Sequence, residues 1–265
     1  MNEMELDAVL PAGGRIHGPF AEETGAEVKA LIELGGASVI ERTVDTLRST
    51  GLVRKVVVIG PDELASHPSV ASADAVLHSD PSNSGPTNIL RGLDWLRQAN
   101  GGRQADRVLV VTTDLPFLTP GAISGFIDAC PADADICVPL VAREEFESAY
   151  PGSSNFYVKL RDGEWTIGCA FLVNPAAIER NRDVIERVFE ARKSQLRMVR
   201  LLGLSLILRF LTGRLTVPLI EKRCRQILGC TACPVRGCSP ALAFDIDTPE
   251  EYRYAAGQRG CRRDI

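Results

Sequence analysis

Two features near the amino terminus are candidate ligands for phosphate groups. A glycine turn follows the apolar run that ends at Pro11, and it comprises Ala12, Gly13, Gly14 and Arg15. Backbone N–H groups without side chains let phosphate oxygens approach closely, and the ammonium group of Lys29 could neutralise their charge. The alternative is an ordinary tight turn, because adjacent glycines also suit a simple reversal of the chain.

Three carboxylates stand where ligands are expected in an open α/β sheet. Asp114 closely follows a buried apolar run, and Asp245 and Asp247 are two residues apart in a later run. Such sheets bind ligands at the carboxyl ends of their strands, and a spacing of two points both side chains to one side. Each position also has a structural alternative, because Asp114 or Asp247 could instead cap the helix that follows.

Alternating strands and helices are predicted to position these residues. Apolar and β-branched runs predict strands, and apolar residues at helical spacing predict helices between them. This alternation is typical of a mostly parallel sheet that is covered on both faces. The predicted strands are 7–11, 55–60, 75–78, 107–112 and 136–141, and the predicted helices are 39–49, 88–98 and 120–130.

The pattern changes after residue 150. Two strands are predicted at 155–161 and 164–173 around an Asp-Gly turn, so the sheet becomes mixed. Residues 175–228 are predicted to be almost entirely helical, and a strand at 241–247 and a closing helix follow. We therefore expect an α/β fold with three layers, α/β/α, and a mostly parallel mixed sheet. The whole chain would be a single domain with a helical insertion at about 175–228.

Length, composition and charge disfavour several classes of protein. The chain has 265 residues, of which 45% are hydrophobic and 24% are charged, so it can bury a core and is not fibrous. Its net charge of −4 argues against nucleic acid as a partner, since a phosphate backbone attracts basic surfaces. The acidic amino terminus is unlike a secretory signal, and the longest apolar run is too short to cross a bilayer. We expect a cytoplasmic protein.

The motifs, in their order along the chain, resemble those of the MobA-like NTP transferases. These are nucleotidyltransferases of the molybdenum-cofactor type, and their GT-A-like fold belongs to the NDP-sugar-transferase-like superfamily. The resemblance covers most of the chain outside the helical insertion. It rests on LPAGG at 10–14, KALI at 29–32, GASVIER at 36–42, TDLPFL at 113–118 and FDIDTPE at 244–250.

The resemblance implies a Mg²⁺-dependent nucleotidyltransferase. Such an enzyme transfers an NMP from an NTP to a phosphorylated small-molecule acceptor and releases pyrophosphate. The implied metal ligands are Asp114, Asp245 and Asp247, an oxygen-only set that suits a hard divalent cation. The metal would neutralise charge at the α-phosphate, so little acid–base chemistry by the protein is required.

The resemblance also implies which residues bind the two substrates. Lys29 and Asp114 would be the catalytic residues, with Lys29 gripping the triphosphate. Gly168 would let the acceptor approach bare backbone. The implied nucleotide-binding residues are Pro11, Ala12, Gly13, Gly14, Arg15, Lys29, Gly85, Asn88 and Asp114.

One departure from the family leaves alternatives open. The segment from Arg15 to Val28 is longer than the compact loop that precedes the lysine in the family. A non-catalytic nucleotide-binding protein of the same fold is therefore one alternative, and a GT-A-type glycosyltransferase that uses an NDP-sugar is another. The glycine loop with Lys29 favours a triphosphate. The three carboxylates favour a bound cation, because an unused cluster would repel itself.

Four of the eight cysteines lie within one short stretch. Cys224, Cys230, Cys233 and Cys238 have the spacing C-x5-C-x2-C-x4-C. This spacing invites a zinc or iron–sulfur site, although it fits no common module. The alternative is a set of free thiols, as is usual for cysteines in a reducing compartment.

The helical stretch 195–215 combines many leucines with four arginines. One interpretation is a helix that is buried or self-associating, and self-association would make the protein a homo-oligomer. The other is peripheral membrane contact, in which the arginines meet lipid phosphates.

Overall fold

The computed structural model describes residues 5–80, 84–191 and 195–258. These residues form a nine-stranded sheet with helices on both faces, and a separate two-stranded ladder. The strands are β1 (Leu6–Pro11), β2 (Glu33–Leu34), β3 (Ala37–Ser38), β4 (Val53–Gly60), β5 (Ala75–His78), β6 (Val108–Val111), β7 (Ile136–Ala142), β8 (Val158–Leu160), β9 (Gly163–Ile167), β10 (Ala170–Val173) and β11 (Ala232–Arg236). The helices are α1 (Pro19–Thr24), α2 (Val39–Ser49), α3 (Gly85–Ala99), α4 (Pro120–Ala129), α5 (Arg143–Ala149), α6 (Pro175–Arg180), α7 (Arg182–Ala191), α8 (Gln195–Leu202), α9 (Leu204–Leu211), α10 (Val217–Leu228) and α11 (Pro249–Gly257).

One half of the main sheet is parallel and the other half is mixed. β1 lies between β4 and β6 and is parallel to both, and β5 continues the parallel order beyond β4. β10 is antiparallel to β6 and β7, whereas β11 is parallel to β7. β9 is antiparallel to β7 and to β8. This arrangement confirms the predicted α/β fold with three layers and a mostly parallel mixed sheet.

Both faces of the sheet are buried, because successive side chains of a strand point to opposite cores. In β1, Ala8 and Leu10 belong to one apolar cluster with α2 and α4, whereas Val9 belongs to a second cluster with α3. All three residues are fully buried. Central strands of this kind have near-continuous apolar sequences, which is the pattern that the sequence shows.

The single strand predicted at 164–173 is interrupted at 168–169. β9 pairs with β7 so that Ile167 lies opposite Leu140, and continuous pairing would place residue 170 opposite Cys137. Leu172 occupies that position instead. Two extra residues are therefore accommodated between β9 and β10. An irregularity of this kind interrupts the ladder and leaves backbone groups free to bond to other segments.

The strand predicted at 241–247 does not form, so this prediction is wrong. Pro240–Leu242 is a short 3-10 turn, and residues 243–247 belong to no strand. The segment's backbone groups bond to loops, since the Leu242 carbonyl accepts from the Cys169 N–H and the Ile246 N–H donates to the Asp114 carbonyl. The segment instead crosses the ends of the central strands.

The helices predicted between 175 and 228 are present as α6 to α10. Gly203 separates α8 from α9 with a φ of 88°, a conformation that favours glycine. Pro218 lies in the first turn of α10, where its missing N–H costs no helical hydrogen bond. α7 packs against α3 and α10 packs against β11, so these helices contact the main sheet layer in two places.

Candidate active site

The loop after β1 and Lys29 are neighbours at the carboxyl end of the strand. The Ala12 N–H donates to the Ile59 carbonyl of β4 at 2.7 Å, which fixes the start of the loop. The Lys29 N–H donates to the Gly14 carbonyl at 2.9 Å. A Cβ on Gly14 would lie 3.5 Å from the Cβ of Lys29. The structure therefore brings together the glycine turn and the lysine, which are well separated in sequence.

The long segment between Gly14 and Lys29 closes on itself. Arg15 forms an antiparallel bridge with Val28, and the Ile16 N–H donates to the Glu27 carbonyl at 3.0 Å. Helix α1 lies within this closed segment. The extra length of the segment therefore does not displace Lys29 from the glycine turn. The Arg15 guanidinium donates to a carboxylate oxygen of Glu63 at 2.6 Å and is not hydrogen-bonded to the aspartates among the described residues.

Lys29 lies between two carboxylates. Its Nζ donates to Asp114 Oδ2 at 2.5 Å and also to a carboxylate oxygen of Asp247. The side chains of Lys29 and Asp114 are only 14% and 17% exposed. Burial alone would lower the pKa of Lys29, but the charges and hydrogen bonds of Asp114 and Asp247 outweigh it and raise that pKa. Lys29 therefore remains charged in this environment.

Asp114, Asp245 and Asp247 form one cluster of carboxylates. One oxygen of each lies within 4.8 Å of the others. Burial, together with the negative charges of Asp114 and Asp247, raises the pKa of Asp245 to about 7. The donors are all carboxylate oxygens, which is the chemistry that a hard divalent cation such as Mg²⁺ requires, so this donor set fits that ion.

Buried apolar residues orient Asp245 and Asp247. Phe244 and Ile246 are 1% and 0% exposed, and the two aspartates alternate with them on the outer side of the segment. Phe244 belongs to an aromatic cluster and packs edge-to-face with Phe117, with the two ring centroids 4.8 Å apart. The two-residue spacing thus places both carboxylates together without any strand.

Backbone hydrogen bonds tie the same segment to the ends of the sheet. The Ile246 N–H donates to the Asp114 carbonyl at 3.1 Å, and the Cys169 N–H donates to the Leu242 carbonyl at 2.7 Å. The side chain of Asn155 donates to the Ala243 carbonyl at 2.9 Å. The bond between Ile246 and Asp114 links the aspartate-bearing segment directly to the loop after β6, and so fixes the distance between Asp114 and the other two carboxylates.

Gly168 lies where two backbone segments approach closely. Its N–H donates to the Pro139 carbonyl at 2.9 Å. A Cβ at this position would lie 2.8 Å from the Leu242 carbonyl oxygen and 2.8 Å from Cγ of Pro139. Glycine is therefore required here by packing. Binding of the acceptor by Gly168 stays a prediction.

We expect Gly168→Ala to lower the free energy of unfolding by about 2 kcal/mol, because the added methyl group must displace the segment that carries the aspartates. Gly125→Ala in α4 is the matched control, since a Cβ there has open space around it. That control should be neutral or stabilising by about 0.5–1 kcal/mol, as alanine suits a helix interior better than glycine. Urea unfolding measures both, and equal values would contradict the close approach at Gly168.

Gly85 and Asn88 lie at the start of α3. A Cβ on Gly85 would lie 2.8 Å from Cζ of Phe189 in α7, so this glycine packs against the helices at 175–228. Asn88 has a buried side-chain oxygen with no hydrogen-bond partner among the described residues. Buried polar atoms without a partner are uncommon, and such an atom is available to a ligand hydroxyl or amide.

Sequence reasoning missed two residues that position the site. Thr112 donates its hydroxyl to Asp114 Oδ1 at 2.5 Å, and its nearness in the sequence TTDLP is a signal that could have identified it. Asn155 contacts Ala243 across 88 residues of sequence. A lone asparagine in a loop gives no signal of such a contact.

The four clustered cysteines do not form a metal site in the described part of the chain. Among the described residues, only one group of three or more potential ligands lies close enough together to hold a single ion. That group is the three aspartates. Burial raises the pKa of each of the cysteine thiols, which disfavours the thiolate that a metal would bind. Among the described helices, none is long and apolar enough to span a membrane.

Solved structures define the class to which this fold belongs. A hypothetical transferase from Thermus thermophilus has a TM-score of 0.81 and 28% identity, and the match covers 94% of this chain and 99% of that chain. A 2-C-methyl-D-erythritol 4-phosphate cytidylyltransferase, also from Thermus thermophilus, has a TM-score of 0.52 and 16% identity, over 96% of this chain and 98% of that chain. The fold is therefore that of the nucleotidyltransferases.

The chain belongs to one family within this class. The family model of the MobA-like NTP transferase domain matches residues 8–228, which confirms the resemblance seen in the motifs. A molybdenum cofactor guanylyltransferase from Shewanella sp. (strain MR-4) is 29% identical over 136 residues. That match covers 51% of this chain and 62% of the relative, so less than two thirds of the relative's length is aligned.

Proposed function

We propose that this protein is a Mg²⁺-dependent nucleotidyltransferase that transfers an NMP from an NTP to a phosphorylated small-molecule acceptor and releases pyrophosphate. One observation supports this proposal above the others. Lys29, adjacent to the glycine turn, lies between Asp114 and Asp247 in a member of the MobA-like NTP transferase family. A glycine turn, a lysine ammonium group and three carboxylates are thus concentrated at one end of the sheet.

The chain's own residues would bind and orient the triphosphate. The backbone N–H groups of the loop at 11–15 would donate to phosphate oxygens, and Lys29 would neutralise charge on them. Asp114, Asp245 and Asp247 would hold Mg²⁺, which when bound neutralises charge at the α-phosphate. Thr112 would keep Asp114 in position through its hydroxyl.

Lys29 would have two sets of partners. Its ammonium group compensates the charge of Asp114 and Asp247, with which it forms ion pairs. The same group would neutralise charge on the triphosphate, while Asp114, Asp245 and Asp247 would hold Mg²⁺. Its position beside Gly14 suits this role, because the phosphate-binding loop is already in contact with it.

The remaining predicted residues are proposed in supporting roles. Asn88 would use its unpartnered side-chain oxygen on the nucleoside, and Gly85 would let α3 start close to α7. Gly168 would border the acceptor, and Arg15 would reach the nucleotide only by leaving Glu63. We propose a single domain in which the helices at about 175–228 are an insertion.

The closed segment between Gly14 and Lys29 weakens the proposal of a non-catalytic protein. Its length was the main reason to doubt turnover, yet the bridge of Arg15 with Val28 keeps Lys29 beside the loop. Family membership likewise favours NTP over the NDP-sugar of a glycosyltransferase.

The test is a screen of ATP, GTP, CTP, UTP and dTTP for pyrophosphate release with pooled phosphorylated metabolites and Mg²⁺. The names of the relatives make GTP and CTP the first to examine. We expect release with one NTP that depends on both the pool and the cation. Turnover of NDP-sugars without pyrophosphate would instead establish the glycosyltransferase. Binding of NTP without any turnover would establish a non-catalytic protein.

A further inference from the structure

Helix α9 presents a row of leucines to solvent. Leu204, Leu208 and Leu211 are 77%, 60% and 75% exposed, and no residue of this helix is buried. Their spacing of four and three places them on one face of the helix. We call these three residues the leucine row. Exposed apolar side chains that are contiguous in this way usually mark a contact surface rather than ordinary solvent-facing positions.

The surroundings of the leucine row are cationic. Residues 195–220 contain four arginines and no aspartate or glutamate, in a chain whose net charge is −4. Arg200, Arg209 and Arg214 are exposed, and none of them forms an ion pair within the described residues. Positive charge and apolar surface are thus concentrated together on a protein that is otherwise acidic.

The row is held in place from behind. The Arg223 guanidinium of α10 donates to the carbonyls of Leu201 and Leu202 at 2.9 Å each, at the end of α8. Gly203 then turns the chain into α9. Because α10 packs against β11, this arrangement anchors α9 to the main sheet, while the face with the leucine row stays outward.

We propose that α8 and α9 dock on the surface of an anionic lipid membrane. The leucine row would enter the boundary between headgroups and acyl chains, and the arginines around it would meet lipid phosphates. α9 has eight residues and is therefore about 12 Å long, far short of the roughly 30 Å of a bilayer core, so the contact is peripheral.

A second copy of the chain fits this surface less well. A two-fold symmetric contact would oppose the same patch on both subunits, and the exposed arginines of residues 195–220, a stretch without aspartate or glutamate, would repel each other. An anionic lipid surface complements the leucines and the arginines at once. This inference concerns a surface remote in sequence from the nucleotide motifs, and it does not depend on the proposed activity.

Vesicle sedimentation with the full chain tests the proposal. The probes are unilamellar vesicles of phosphatidylcholine alone and of phosphatidylcholine with about 40% phosphatidylglycerol, at low and high salt. We expect at least about tenfold stronger partitioning to the anionic vesicles, and loss of that preference at high salt. Equal binding to both vesicles, or no binding to either, would overturn the proposal.

Two pairs of variants then locate the contact. L208Q/L211Q should reduce partitioning by about tenfold or more, whereas F156Q/I167Q, which removes two other exposed apolar side chains, should not. R200Q/R209Q/R214Q should abolish the preference for anionic lipid. R97Q/R143Q/R253Q makes the same change of charge on α3, α5 and α11 and should leave most of the preference.

Oligomeric state provides the decisive alternative outcome. If the chain without lipid is a dimer by sedimentation equilibrium and L208Q/L211Q dissociates it without affecting vesicle binding, the leucine row is a subunit interface and the proposal fails. Near-ultraviolet circular dichroism checks that the variants fold. The vesicle measurements that vary lipid and salt use the unaltered chain. They therefore test membrane binding even where a variant unfolds.

Discussion

Asp114→Asn is expected to lower kcat/KM for nucleotide transfer by about 10³-fold, equivalent to roughly 4 kcal/mol of transition-state stabilisation. Asp114 is the less exposed of the two carboxylates that pair with Lys29, and it lies in the loop just after the buried strand β6. An amide keeps the shape but not the charge that would hold a cation at the α-phosphate. The measurement is steady-state kinetics with the NTP and acceptor that the screen identifies.

The fold should survive this substitution. It removes one of three mutually repelling carboxylates, and Lys29 keeps its ion pair with Asp247. Asp94→Asn is the matched control, because Asp94 is an exposed carboxylate on α3 that pairs with Arg97. Thermal unfolding of both variants should resemble that of the parent chain. A D114N variant with parental activity in Mg²⁺ would exclude Asp114 as a metal ligand.

Strand-end positions were the part of the site that the sequence could predict. Asp114 follows a run of apolar β-branched residues, and a central strand buried on both faces has no other common sequence pattern. The sequence also predicted correctly that Asp245 and Asp247 lie on the same side of their segment. The reason it gave, a strand, was wrong. Phe244 and Ile246 are buried on one side, and this apolar anchoring gives the same alternation without a ladder.

Contacts between distant segments could not be predicted from the sequence. The closure of the chain at Arg15 and Val28 is a bridge between backbone groups, which any residue types could form. The same holds for the Ile246 bond to the Asp114 carbonyl, which brings the two acidic segments together. The packing of Gly168 against Leu242 depends on where the 3-10 turn at Pro240–Leu242, which pairs with no strand, crosses the sheet. Local periodicity contains no information about such crossings.

Lys29→Ala is expected to weaken NTP binding by about 30-fold, or roughly 2 kcal/mol, because the triphosphate loses a charge-assisted contact in a mostly buried position. Calorimetry with Mg²⁺ in excess measures this loss. Lys159→Ala is the matched control, since the Lys159 side chain is 84% exposed and pairs with Glu164 in the hairpin. Its NTP affinity should equal that of the parent.

The same variant should bind Mg²⁺ more tightly than the parent when no nucleotide is present. Lys29 and a divalent cation compete for Asp114 and Asp247, so removal of the ammonium group leaves the carboxylates with an uncompensated charge that the cation satisfies. The variant should accordingly be less stable than the parent without the metal and regain stability with it. These two effects separate the roles of the lysine. If Lys29→Ala binds Mg²⁺ more tightly but binds NTP as well as the parent, Lys29 is a counter-ion of the aspartates and does not touch the triphosphate.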